Sequence, residues 1–193
     1  MADFFYSIDL TIFYFINHTI ANPVFDKFFG FITDVKHWYL LYIVLLCIAF
    51  FKGGRIGKIA VIGSIFLIVF SDQFSSNLVK NLVERIRPCN ALPDARTILG
   101  CTGSYSFPSS HSLNNFAIAV FFYRLFPKLK WTLLITAGLV AFSRPYLGLH
   151  YPSDIIFGGI IGAAIGYIFS LGAIKMNEFL DNRKSSLINN SEN

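Results

Sequence analysis

Three short stretches of this chain hold side chains whose types and spacing can do chemistry. "KNLVERIRP" carries Lys80 and Arg87, "SFPSSH" carries Ser109, Ser110 and His111, and "AFSRPYLGLHYPSD" carries Arg144, His150 and Asp154. Lys80, Arg87 and Arg144 supply three cations, and a guanidinium presents a planar fork of donors that matches phosphate oxygens. Pro108 and Ser109 have the residue types of a helix start, with Ser109 as cap or first-turn residue. Free backbone N–H groups at such an end bind anions, so Ser109, Ser110 and their amides join the cations. His150 and Asp154 are four residues apart, and Pro152 marks the start of the last helix. A carboxylate at that spacing can hold one imidazole nitrogen and leave the other free to attack. His111, on a different helix, is a second imidazole available as general acid. Together these groups describe phosphoryl transfer through a covalent phosphohistidine.

The elements that must position them are membrane helices. Of the 193 residues 54% are hydrophobic and 14% charged, against roughly 25% charged in an ordinary soluble domain. Five apolar runs, 36–52, 57–79, 110–126, 130–146 and 154–175, are long enough for a ~30 Å hydrocarbon core, the first and fourth only with flanking residues. Residues 4–34 carry Asp9, Asn17, His18, Asn22, Asp26 and Lys27 among Phe and Ile. They read as two interfacial helices broken at Asn22-Pro23, with a sixth span at 4–21 as the alternative. The fold class is therefore an all-α polytopic bundle. One membrane domain covers 1–180, its first 35 residues interfacial, and 181–193 form a polar, irregular tail.

The net charge of +5 is spread over short loops, which fits membrane topology and leaves no patch for nucleic acid. Lys52, Arg55 and Lys58, and then Arg124, Lys128 and Lys130, place the loops 52–58 and 124–130 in the cytoplasm. The loops 80–109 and 147–153 then face outward, on one side with all three motifs, and their cations need another explanation than topology. Gly158, Gly162 and Gly166 form a small-xxx-small series that lets helices approach closely.

K-x6-R-P, P-S-x-H and S-R-x5-H-x3-D, in that order, resemble the three signature motifs of the type 2 phosphatidic acid phosphatase (PAP2) family, whose superfamily includes soluble acid phosphatases and vanadium haloperoxidases. The motifs cover about a tenth of the chain. The resemblance implies His150 as nucleophile, Asp154 as its orienting partner and His111 as the acid that protonates the leaving group. It implies Lys80, Arg87, Ser109 and Arg144 as phosphate ligands, and no metal or other cofactor. Ser110 stands where the family usually has Gly; its N–H survives that change. The implied substrate is a lipid phosphate at the outer face of a bacterial inner membrane. Undecaprenyl diphosphate ranks first, followed by lipid A 1-phosphate, phosphatidylglycerol phosphate and phosphatidate.

Other readings fit less well. Two His and an Asp can ligate a metal, but the neighbouring cations oppose a site for another cation. Intramembrane ionisable residues also mark transporters and channels, but these gather at one surface, with no inverted repeat. Asp72, Ser76 and Lys80 share one face of the second span, Asp72 being either an interhelical hydrogen bonder or a supporting partner of the site. Cys89 and Cys101 share the outer loop, as a disulfide or as two packed thiols.

Overall fold

Pro, Gly and capping residues cut the apolar runs into helices in a computed structural model that describes residues 2–191. α1 (Ala2–Tyr14) continues through a π-helical turn, Phe15–Thr19. The chain then breaks at the Asn22-Pro23 pair. The Asn22 side chain accepts from the N–H groups of Val24 and Phe25 and so caps α2 (Pro23–Thr33). A 3-10 turn, Val35–Trp38, leads into α3 (Tyr39–Lys52), and Gly53 separates α3 from α4 (Gly54–Gln73). A π-helical stretch, Phe74–Val79, joins α4 to α5 (Lys80–Val83). Glu84, at φ 51°, ends α5 in the left-handed region, a costly conformation for a non-glycine residue. That turn redirects the chain toward Arg85, Arg87 and the single-turn α6 (Pro88–Ala91). A long loop then reaches α7 (Ser110–Leu125), followed by α8 (Lys130–Tyr146) and α9 (Pro152–Ser191).

Three helical stretches are long and apolar enough to cross a membrane: Val35–Lys52, Gly54–Ala91 and Pro152–Lys184. The first uses the 3-10 turn as the flanking residues the short 36–52 run needs. α7 and α8 have 16 and 17 residues, and the alternative span at 4–21 is not among the three. Its polar residues are turned inward instead: Asp9 and Asn17 are both buried and bonded to distant segments.

α7 is the central helix, packed against α4, α8 and α9. The glycine series on α9 lets it approach the α7 backbone closely. A Cβ on Gly162 would lie 2.0 Å from the Leu113 carbonyl oxygen, and one on Gly166 would lie 2.2 Å from that of Ala117. α3 buries no residue and touches α4 alone among the long helices, so its apolar faces belong to lipid. α2 leans on α8 through Phe29, Phe142 and Tyr146.

Residues 181–191 are helical, not the irregular tail their polarity suggested. From Ala173 onward the sequence has no Gly or Pro, and extending an existing helix costs little per residue. Asp181 on this extension pairs with Arg55 at the start of α4.

Gly162→Val should therefore lower stability by about 1–3 kcal/mol or more, because the obstructing atom is backbone and cannot rotate away. Gly172→Ala, with open space around it, should leave the thermal midpoint unchanged or slightly raised. Equal midpoints for the two variants in detergent would disprove the close α7–α9 contact.

Candidate active site

The start of α7, the end of α8, the start of α9 and the α4–α5 junction meet around one cavity of about 240 Å³. Lys80, Arg87, Ser110, His111, Arg144 and His150 line it, together with Asp72, Ser76, Thr102 and Ser104. The two other expected residues stand behind its wall. Asp154 is fully buried beneath His150. The Ser109 hydroxyl caps α7 by accepting from Ser112 N–H at 3.5 Å, and its own N–H donates to the Asp154 carbonyl at 3.1 Å. The expectation that Ser109 offers its hydroxyl and amide to a phosphate is not met here: the amide is taken by the α7–α9 junction, and the fully buried Ser109 does not line the cavity. Ser110, the departure from glycine, lies 2.9 Å from the Ser75 hydroxyl in the π-helical stretch. Its side chain thus ties α7 to the helix that carries Lys80.

The three cavity cations keep their charge. None of Lys80, Arg87 and Arg144 pairs with a carboxylate among the described residues. Arg87 is held by neutral acceptors: its Nε donates to the Ser104 carbonyl at 2.7 Å, and its terminal nitrogens donate to the Ser104 hydroxyl and the Leu149 carbonyl. Arg144 donates to the Thr33 hydroxyl at 2.8 Å, and its buried Nε has no protein partner. An anion in the cavity would supply one.

Arg87 also fixes the state of His150. Its NH1 lies 2.9 Å from Nε2. A guanidinium can only donate, so Nε2 accepts and the ring proton sits on Nδ1. Nδ1 in turn lies 3.5 Å from both Asp154 Oδ2 and the Ser106 hydroxyl. Burial, reinforced by Arg87 and Arg144, pushes the His150 pKa down to about 3 against the opposing pull of Asp154. The imidazole is therefore neutral at ordinary pH, with the Nε2 lone pair held by Arg87, itself a residue of the cavity wall.

Asp154 is held by more than the histidine. Its Oδ1 accepts from Arg85 at 2.6 Å, and its Oδ2 accepts from Tyr151 N–H at 2.9 Å and from the Ser106 hydroxyl. Arg85 spans to a second carboxylate, Asp9 of α1, also at 2.6 Å, and its guanidinium lies over the Tyr151 ring. Asp9 accepts from Ser153 N–H at 2.8 Å and so caps α9. Arg85, Ser106 and Asp9 were not singled out by motif spacing. Their one visible signals were an outward-loop cation without a topological reason and a carboxylate inside an apolar segment.

Cys89 and Cys101 are disulfide-bonded, with Cα atoms 5.9 Å apart. The bond closes the loop between Arg87 and Ser104, the residue that grips Arg87 through two acceptors.

A helical membrane bundle with an uncompensated cationic cavity beside two imidazoles and a buried carboxylate defines a phosphatase that works at a membrane. Residues 61–176 match the PAP2 superfamily, and the chain belongs to it. It is 32% identical over 185 residues to the lipid A 4'-phosphatase of Bacteroides thetaiotaomicron, covering 91% of this chain and 81% of that protein. It is 32% identical to the undecaprenyl-diphosphatase of Sulfolobus acidocaldarius, over 70% of this chain and 66% of the relative. The crystal structure of Aquifex aeolicus LpxE superposes with a TM-score of 0.68 at 26% identity, covering 83% of this chain and 93% of that one. These likenesses make the protein a lipid phosphatase of this superfamily.

Removing Arg85 leaves Asp154 and Asp9 without their shared cation. Arg85→Ala should lower kcat at least tenfold with a smaller change in KM, because Asp154 and the imidazole lose their fixed orientation. It should also cost about 3–5 kcal/mol of stability, the usual effect of stranding a buried charge. A kcat within twofold of wild type would remove Arg85 from any positioning role.

Proposed function

We propose that the protein hydrolyses a phosphomonoester of a membrane lipid through a phosphohistidine on His150. The observation that carries this reading is the neutral His150 imidazole, its Nε2 held by Arg87, in the wall of a cavity with three uncompensated cations. Lys80, Arg87 and Arg144 take the phosphate oxygens, with Ser110 and the first-turn amides of α7 beside them. As Arg87 turns its N–H from Nε2 to a phosphate oxygen, the freed Nε2 lone pair attacks phosphorus in line, an N–P bond forms and the P–O bond to the lipid breaks. His111, which takes up a proton as the phosphate binds, gives it to the departing alkoxide. The Nδ1–H remains on the ring and is steadied by Asp154 as the imidazole gains positive charge. Water then attacks the phosphohistidine, His111 takes a proton from it, and phosphate leaves with His150 restored. No step in this scheme draws on a metal ion.

Charge favours a monoester. Three cations and the one carboxylate, Asp72, give the cavity a formal balance of +2 with both histidines neutral. That matches a phosphomonoester dianion better than the larger charge of a diphosphate. The relatedness to lipid A 4'-phosphatases supports the same choice, and a lipid A-type phosphate is the favoured substrate. Undecaprenyl diphosphate, ranked first from the sequence, moves to second on this balance.

His150→Ala should abolish both turnover and the acid-labile phosphoenzyme trapped from a radiolabelled lipid phosphate. His111→Ala should slow phosphoenzyme formation most for poor leaving groups, since a stable leaving group needs little protonation. Activity should persist in EDTA. Full turnover by His150→Ala protein would sink the mechanism.

The proposed orientation puts this site on the outer face of a bacterial inner membrane. The support is the basic character of 52–58 and 124–130 and a disulfide in the opposite loop. In variants lacking the native cysteines, an impermeant thiol reagent on intact cells should label a cysteine at position 94 and spare one at 55. The reverse pattern would invert the orientation.

A further inference from the structure

We infer that Asp72 selects substrates: it accepts a hydrogen bond from a hydroxyl or amide N–H on the alcohol side of the scissile phosphoester. This rests on the phosphomonoesterase reading above and narrows its substrate class.

Asp72 lines the same cavity as Lys80, Arg87 and Arg144. Its Oδ1 accepts from Asn114 Nδ2 at 3.2 Å, and Asn114 Oδ1 accepts in turn from the Ser71 hydroxyl at 2.8 Å, which fixes the amide's orientation. Its other oxygen has no donor among the described residues. Asp72 also pairs with none of the three cavity cations, no nitrogen of which lies within the 4.0 Å of an ion pair.

A carboxylate in this place is costly. Like charges repel, and a phosphate held by the three cations brings its negative charge into the same cavity as Asp72. If Asp72 served only to bond Asn114, an asparagine would do so without opposing the phosphate. The three cations offset part of that repulsion, and the rest of the offset must reach the free oxygen as a donor, because an ionised carboxylate can only accept. The offset is a donor on the substrate.

Position identifies which part of the substrate carries it. α4 runs from Gly54 toward the site, and Asp72 precedes Lys80 by eight residues, about two turns nearer the interior of the bundle. The π-helical stretch between them turns Asp72, Ser76 and Lys80 to one cavity. With phosphate at the Lys80 and His150 end, Asp72 faces the ester's alcohol and the first groups of the lipid. An acyl-bearing sugar or glycerol offers a hydroxyl or amide N–H there; a polyprenyl chain offers none. A site with a polar group left unpaired by the wrong substrate discriminates strongly. Because Asp72 is half-buried, the expected preference is about tenfold to a hundredfold.

The test compares 1-acylglycerol 3-phosphate with its 2-deoxy analogue, which lacks the hydroxyl, on purified full-length protein in detergent. Wild-type protein should favour the hydroxylated lipid at least tenfold in kcat/KM. Asp72→Asn keeps the shape and the acceptor for Asn114 but removes the charge and presents N–H to the cavity. It should abolish the preference, with activity on the hydroxylated lipid falling and activity on the deoxy analogue rising. A wild-type enzyme that cleaves both lipids equally overturns the inference and leaves the phosphatase reading standing. So does an Asp72→Asn variant in which both activities fall together or the preference survives. Wild-type protein that cleaves neither lipid overturns this inference as drawn for glycerol lipids, and the phosphatase reading falls with it only if a lipid A-type phosphate is also left intact.

Discussion

The buried carboxylate of Asp154 is the constraint around which the cavity end of the bundle is built. An ionised group with no access to solvent must have its oxygens satisfied, or it destabilises the fold by several kcal/mol. Arg85, Ser106, Tyr151 N–H and the His150 ring answer that demand. They come from three separate segments: the turn after α5, the loop before α7 and the connection from α8 to α9. Arg85 adds a fourth by reaching Asp9 on α1. No one segment can settle without the others, so assembling the site and folding this end of the molecule are the same event. The nucleophile's orientation is a by-product of satisfying the charge.

The rest of the bundle brings His111 to that assembly. Within lipid, apolar surface provides little drive for one helix to seek another, and association rests on close packing and hydrogen bonds. The contact of α9 against α7 is close enough to be backbone on backbone. It continues at its cavity end into polar links, Ser109 N–H to Asp154 O and Ser112 hydroxyl to Ile155 O. The start of α7 is therefore fixed against the start of α9, and with it the separation of the two imidazoles. α4 is tied in by Ser75–Ser110 and by Ser71–Asn114–Asp72, bonds that all fall on the stretch leading to Lys80.

Much of this was legible in the sequence because it depends on local spacing. Pro152 does open the last helix, Ser109 does precede the first residue of α7, and Asn22-Pro23 does break the N-terminal segment. The glycine period on α9 announced a close helix contact. What escaped was whatever needs a partner far along the chain. Arg85 sits two residues from Arg87, yet one bridges carboxylates and the other faces the cavity; the non-helical stretch 84–87 that carries both gives them different surroundings. Asp9 looked like a residue of an interfacial helix because its partners lie 76 and 144 residues away. Ser109 was assigned a ligand's role because helix starts bind anions in general, whereas here the neighbouring helix had already taken its amide.

The cations divide by the kind of acceptor that holds them. Arg85, Arg96 and Arg55 are bound to carboxylates; their charge is cancelled, and they act as structural ties. Arg87 and Arg144 are bound to carbonyls and hydroxyls, which fix a guanidinium nearly as well but leave its charge intact. A neutral acceptor therefore separates positioning from neutralisation. The cavity arrives at its ligand with cations already oriented and nothing to break but weak dipolar contacts, so most of their attraction remains for the phosphate. Against that rule Asp72 is the exception, a carboxylate placed among charges that every other contact in the site preserves.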